Sequence, residues 1–287
     1  MKNKIKSEND TYPAALTIAG SDSGGGAGIQ ADLRTFSAFG VFGTSAITAL
    51  TAQNPCEVRT ITPIEPAMVK DQIETVLAKF AIKAIKTGML HNQKIVAIIA
   101  DTLKESNIPL VIDPVMISTS GVLLIEDDAV ERMTKELFPL ASWVTPNIPE
   151  AEKLLNTTIK TVKDMKKAAK QFASEFKTSC IIKGGHAFQK ENQAIDAVCS
   201  KGNIFTISSP LVELTPNSEA TLTHGTGCTF SAAIAASIAL GLSWRDVLIS
   251  AKAFVYGSLS EGVKPGREIY AMYPPAGSYK DKVKVKN

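Results

Sequence analysis

A chain of 287 residues with 45% hydrophobic residues can bury a substantial core, as one large α/β domain or two smaller ones, and shows no compositional sign of disorder. A formal net charge of +3 gives no electrostatic case for nucleic acid or an anionic membrane, so neither is expected as a partner. Four cysteines, at 56, 180, 199 and 228, show no C-x-x-C spacing, which argues against a disulfide framework or a thiolate zinc site and for reduced thiols in the cytoplasm.

The chain opens with Lys2, Lys4 and Lys6, followed by Ser7-Glu8-Asn9-Asp10 where a secretory signal would place an apolar stretch. Together with Lys280, Lys282, Lys284 and Lys286 at the other end, these lysines read as solvated, frayed termini. Residues 14–19 form a short apolar strand that runs into Gly20-Ser-Asp-Ser-Gly-Gly-Gly-Ala-Gly28 and then a helix over 29–39. Strand, glycine loop and helix make the first half of a βαβ unit. The loop lacks the G-x-G-x-x-G spacing, because Ile29 stands at the third glycine, and no acid near 45–50 is placed to hold a ribose; a dinucleotide fingerprint is thereby disfavoured. A loop whose backbone lies against a small substrate fits better.

A strand over 44–51 leads to Gln53 and Asn54, and residues 56–64 alternate as a short exposed hairpin or flap. Residues 65–80 read as an amphipathic helix with Met68, Ile73, Val76, Leu77 and Phe80 toward the core. Further strands are expected over 84–90, 109–114, 142–145 and 179–183, and helices over 93–105, 126–137, 149–155 and 162–176. Residues 194–200 and 203–209 flank Lys201-Gly202 as an antiparallel hairpin. Repeated strand–helix pairs imply a mostly parallel sheet covered on both faces, and with no linker or internal repeat one domain is expected.

The stretch from Thr221 through His224-Gly-Thr-Gly-Cys228 to Gly241 is a tight glycine turn feeding a helix with Phe230, Ile234 and Ile238 on its apolar positions; a last helix follows over 244–259. Unpaired N–H groups and the helix dipole make the turn a phosphate or oxyanion cradle, with Cys228 placed where a thiol ionises most easily. The plainer reading is a core-packing turn in which Cys228 is a small apolar residue. The most apolar run, 231–242, is too short to span a bilayer.

Polar clusters fall at predicted strand ends: Gly20-Ser-Asp22, Gln53-Asn54, Lys86-Thr-Gly88, Asp113, Thr145-Pro-Asn147 with Glu150, Lys183-Gly-Gly-His186, and His224 to Cys228. Ligands of open α/β sheets bind at that edge. With Ala19–Leu33, Thr48–Asn54, Lys86–Leu90, Val111–Met116, Thr145–Glu152, Ile182–His186 and His224–Cys228 in this order, the chain resembles the hydroxymethylpyrimidine/phosphomethylpyrimidine kinases of thiamine biosynthesis, from about Ala14 to Tyr256. It departs from their pattern at Val122, where an acid is common, and at Pro265–Tyr270, where they carry a Gly/His/Pro-rich segment.

The resemblance implies a ribokinase-like three-layer α/β/α sandwich with a late antiparallel extension, ATP and Mg²⁺, a homodimer, and successive phosphorylation of an aminopyrimidine alcohol and its monophosphate. Pyridoxal, pyridoxine or pyridoxamine as substrate is the alternative within the fold; a non-catalytic ligand-binding regulator is the alternative outside enzymes. The resemblance places the pyrimidine against Gly20, Asp22, Ala27, Gln53, Met89 and Val115. A glutamine amide sets donor beside acceptor, the complement of a 4-aminopyrimidine edge. Lys183 suits phosphate oxygens, with Asn147 and Thr226 in the same network, and Asp113 and Glu150 suit Mg²⁺. Asn147 as a helix N-cap and Glu150 as a helix-dipole partner are the bland alternatives. Backbone N–H groups of Gly225, Thr226, Gly227 and Cys228 form an oxyanion cradle, and Cys228 stands where ribokinase-like enzymes commonly have Asp, which makes it the expected base; the helix start favours a thiolate near neutral pH, and nearby phosphates favour the neutral thiol. His186 and His224 are assigned supporting hydrogen bonds.

Overall fold

The computed structural model describes residues 11–117, 121–188 and 192–286. Lys2, Lys4, Lys6, the Ser7–Asp10 segment and Ser120 lie outside the described residues. A ten-stranded sheet runs through the molecule in the order β10-β9-β8-β7-β6-β5-β4-β1-β2-β3. Its strands are β1 (Ala14–Asp22), β2 (Phe42–Asn54), β3 (Glu57–Pro63), β4 (Ile82–Thr87), β5 (Leu110–Ile112), β6 (Trp143–Val144), β7 (Ser179–Lys183), β8 (Gln193–Ser200), β9 (Asn203–Pro210) and β10 (Lys284–Lys286). Strands β2, β1, β4, β5, β6 and β7 run parallel, and β3 at one end and β8, β9 and β10 at the other are antiparallel additions.

Alternation along the buried strands separates two cores. Leu16, Ile18 and Ile112 face a layer with α2 (Pro66–Leu77), α3 (Gln93–Leu103), α4 (Asp127–Arg132), α5 (Ile148–Leu155) and α6 (Val162–Glu175), whereas Ala15, Val111 and Ile181 face α1 (Gly28–Ala38), α8 (Thr226–Ala239) and α9 (Trp244–Ser260). A sheet covered on both faces explains why its central strands read as nearly continuous apolar runs. The short α7 (Pro216–Leu222) leads from β9 into the turn before α8. Small residues let α8 lie flat on the sheet: Ala232, Ala233, Ala235 and Ala236 are all fully buried.

Three expectations are corrected. Met68 and Phe80 are exposed, at 54% and 43%, because Val69 and Ile73, four residues apart, form the stripe of α2 that meets the sheet. The helix expected over 126–137 is α-helical only to Arg132 and widens into a π-turn over Met133–Leu137, which seats Met133, Leu137 and Phe138 in the core. The C-terminal lysines do not fray: Lys284, Val285 and Lys286 pair with Ser208, Ile207 and Thr206 of β9. Val285 packs on the core beside α8 and α9 while both lysines stay exposed, a charged edge that discourages further strand pairing.

Candidate active site

Between β1 and β4 the strand order reverses, since β1 leads to β2 on one side and the chain then returns to β4 on the other. The crevice above such a reversal is where open α/β sheets bind ligands. Here it receives the loop after β1, the ends of β2, β4, β5 and β6, the turn after β7, and the start of α8. Three connected hollows result.

The first is lined by Gly20, Asp22, Ala27, Gln53, Met89, Val115 and Cys228, so all six residues expected to hold the substrate are brought together with the thiol. Asp22 organises its wall. One carboxylate oxygen accepts the Gly24 N–H at 2.8 Å; the other accepts the Ala27 N–H at 2.8 Å and lies 2.9 Å from His224 Nε2. Burial works against the charge of Asp22, but His224 and these N–H groups outweigh it and hold the carboxyl below its ordinary range. Asp22 is therefore tied up in shaping the loop, and His224 bridges that loop to the turn before α8. Gln53 is fixed through its backbone by Ser23, at 2.7 and 2.8 Å, and its side-chain amide reaches to 3.5 Å from His224.

The second hollow holds Asp113, Asn147, Glu150, Lys183 and Gly225 to Cys228. Lys183 Nζ lies 2.7 Å from Asp113 Oδ1. Burial opposes the charge of Lys183, yet Asp113 and Glu150 raise its pKa above the usual lysine value. Gly227 passes directly over this pair; a Cβ there would sit 3.0 Å from Lys183 Nζ and 3.3 Å from Asp113 Oδ2. Asn147 and Glu150 form a capping box on α5, each side chain accepting the other's backbone N–H at 2.8 Å. The bland capping roles are thus present, and they place both side chains in the hollow. Glu150 Oε1 also accepts the Met116 N–H at 3.4 Å. Burial dominates its titration and pushes the carboxyl up to about 7, only partly opposed by Lys183.

The third hollow is a cleft of about 390 Å³ between β8, β9 and α9, lined by Asn147, Lys183, Gly184, Thr226 and Gly227 and by Leu211, Val212, Val255, Tyr256 and Leu259. His186 lines it as well. Gly225, the N-cap of α8, has φ +81°, and a Cβ there would collide with the Gly26 carbonyl, so only glycine allows the two loops to touch. The Thr226 hydroxyl turns inward and donates to the Thr223 carbonyl at 2.6 Å.

Of the two ionisation states open to Cys228, the structure favours the neutral thiol. Although it begins a helix and lies near the Lys86 ammonium, burial dominates and pushes the thiol up to about 11, with Asp32 and Asp113 adding to the effect. The thiol is neutral at pH 7.

Two ion pairs escape the sequence reading. Lys86 and Asp32 are fully buried beneath the site, with Nζ 2.8 Å from Oδ2, which also accepts the Thr17 hydroxyl at 2.6 Å. Lys252 Nζ meets Asp196 Oδ2 at 2.8 Å on the wall of the third hollow. Lys252 is the one charge in the apolar stretch 247–259, a sign that could have flagged it. Among the described residues no group of three or more His, Cys, Asp or Glu could hold a metal ion, and no helix is long and apolar enough to cross a membrane.

A mostly parallel sheet with a glycine anion turn set between a small, largely apolar hollow and a larger cleft defines a small-molecule kinase of ribokinase-like fold. The family model described as phosphomethylpyrimidine kinase matches residues 22–273. A hydroxymethylpyrimidine/phosphomethylpyrimidine kinase of Haemophilus influenzae is 44% identical over 255 residues, 88% of this chain and 93% of the relative. The solved pyridoxal kinase of Staphylococcus aureus in complex with AMP-PCP and pyridoxal superposes with a TM-score of 0.84 at 32% identity, covering 96% of this chain and 99% of that one. The phosphomethylpyrimidine kinase structure from Clostridium difficile gives 0.72 at 38% identity, covering 85% and 97%. This chain belongs to the phosphomethylpyrimidine kinase family.

Proposed function

We propose that the chain transfers the γ-phosphoryl group of ATP to the hydroxymethyl oxygen of 4-amino-5-hydroxymethyl-2-methylpyrimidine, and then phosphorylates the resulting monophosphate to the diphosphate, as a step of thiamine biosynthesis. One observation carries the reading: the turn Gly225 to Cys228 stands between a small hollow lined by Gln53, Met89 and Val115 and a much larger cleft of about 390 Å³. A group passing from cleft to pocket crosses the α8 N-terminus, where N–H groups receive the charge of the transferring oxygens without reorganising.

Within this reading Gln53 pairs with the aminopyrimidine edge, and Gly20, Ala27, Met89 and Val115 enclose the ring. Lys183 leaves Asp113 for the phosphate oxygens as the nucleotide arrives. Asn147 and Thr226 complete the phosphate wall. The carboxylates fit Mg²⁺ carried in on the nucleotide, because that ion is commonly held by one or two carboxylates together with substrate phosphates and water. Asp113 and Glu150 would hold it, and it would neutralise charge on the transferring phosphates. The attacking oxygen forms its bond to phosphorus as the bond to ADP breaks, and its proton passes to the minor thiolate form of Cys228, whose fraction rises with pH.

A second reading, phosphorylation of pyridoxal, pyridoxine or pyridoxamine, is favoured by the close superposition on the staphylococcal pyridoxal kinase. The 44% identity to the Haemophilus relative supports the pyrimidine as the principal substrate. ADP release measured with the pyrimidine, its monophosphate and the three vitamers decides between them; a rate confined to the vitamers would overturn the assignment. Free thiols at Cys56, Cys180, Cys199 and Cys228 support a cytoplasmic setting. A homodimer, implied by the family resemblance, would register in light scattering as twice 30.6 kDa.

A further inference from the structure

Lys252 and Asp196 are 7% and 3% exposed, and they form an ion pair on the wall of a largely apolar cleft. A buried ion pair is weak evidence for stability, since apolar residues of like volume often serve as well or better. Its placement points to another role. Asp196 lies directly opposite Lys183 across the antiparallel β7–β8 ladder. Its Oδ2 meets Lys252 Nζ at 2.8 Å, and its Oδ1 accepts the N–H of Gly184, the residue after Lys183, at 3.1 Å. Gly184 in turn admits no side chain, because a Cβ would collide with the Ile195 carbonyl. One carboxylate therefore clamps the backbone at the exact point where β7 releases Lys183 toward Asp113.

Charge makes the second half of the argument. Two lysines and two aspartates meet at this end of the cleft, paired as Lys183 with Asp113 and Lys252 with Asp196. If Lys252 were absent, Asp196 would be an uncompensated carboxylate directly across the ladder from Lys183. It would then compete with the incoming phosphate for that ammonium.

We propose that the Lys252–Asp196 pair is a positioning unit for phosphoryl transfer, fixing the Lys183–Gly184 turn and keeping the Lys183 charge available to the nucleotide. The proposal rests on the reading of Lys183 as the phosphate contact. Lys252→Met is expected to lower kcat by about 10- to 100-fold and to raise the KM for ATP several-fold, while the KM for the pyrimidine changes less than about twofold. Lys252→Arg, which keeps the cation, should restore most of kcat. The double variant Lys252→Met/Asp196→Asn keeps an acceptor for the Gly184 N–H and leaves no lone carboxylate; it should recover at least about tenfold of the lost kcat, and it tests the idea if Lys252→Met alone does not fold.

Melting curves are recorded for each variant, and kinetics are read well below the transition. A Lys252→Met enzyme that melts lower yet keeps both kcat and the KM for ATP would make the pair purely structural and overturn the proposal, as would a double variant no better than a folded Lys252→Met. Lys183→Gln separates the two levels. If it leaves turnover and the KM for ATP unchanged, the reading of Lys183 fails; if it abolishes turnover while Lys252→Met is silent, only the positioning proposal fails.

Discussion

At the scale of single residues, the chemistry turns on how burial resets ionisation. With Cys228 neutral up to about pH 11, a thiolate base is a minor species near neutrality, its fraction rising about tenfold per pH unit. Turnover with the pyrimidine should therefore climb between pH 7 and 9.5, whereas Cys228→Asp, a far stronger acid in the same place, should keep appreciable activity with a flatter profile. Cys228→Ala should bind the pyrimidine and lose most turnover. A parent profile as flat as that of the aspartate variant, measured under conditions where chemistry limits, would remove the base role. Alkylation followed by peptide mapping gives an independent check: Cys228 should react slowly at pH 8, more slowly still with pyrimidine bound, and faster toward pH 11, while exposed Cys56 reacts readily. The proposed pairing of Gln53 with the aminopyrimidine edge has its own test at this scale. Gln53→Ala leaves a ring edge unpaired and should weaken pyrimidine binding by about 1–3 kcal/mol, with a smaller loss for pyridoxal; calorimetric titration of both ligands makes the comparison.

At the scale of elements, the site depends on how closely two loops approach. The turn at Gly225 must take a positive φ and must press its Cα against the Gly26 carbonyl, while the ring of His224 lies against Gly26. Gly225→Ala meets both obstacles. It should cost about 1–3 kcal/mol of stability and lower turnover further than that loss explains, because the start of α8 is displaced from the Lys183–Asp113 pair. Denaturant unfolding alongside steady-state kinetics measures the two effects; an alanine variant as stable as the parent would show that the contact carries no strain. An N-cap role for Asn147 and a helix-dipole role for Glu150 were legible in the sequence as alternatives, and the capping box that joins them lines the same hollow as Lys183 and Asp113.

At the scale of the whole molecule, the Lys86–Asp32 pair joins β4 to α1 inside the core, beneath the α8 N-terminus. Burial opposes the charge of Lys86, and Asp32 more than restores it, so its pKa stands above the ordinary lysine value. Lys86→Met strands a buried carboxylate and should cost about 3–5 kcal/mol, whereas Lys86→Met/Asp32→Leu should return most of that stability. Urea unfolding of both variants tests this, and equal losses in the single and double variants would contradict it.

The order of strands and helices, the polar clusters at one sheet edge and the family resemblance all follow from the sequence, because hydrophobic period and glycine turns are local signals. The glycine turn before α8 was legible for the same reason, and the six residues expected at the substrate, which line one hollow, were legible through the family resemblance. Only the tertiary structure decided the rest. The Asp196–Lys252 and Asp32–Lys86 pairs join residues 56 and 54 positions apart, and no local pattern marks a charge that will be buried beside its partner. The lysine-rich C-terminus became a strand because β9 presented an open edge. The ionisation of Cys228 was set by desolvation among groups contributed by α1, β4 and the end of β5, an effect of depth that position at a helix start does not reveal.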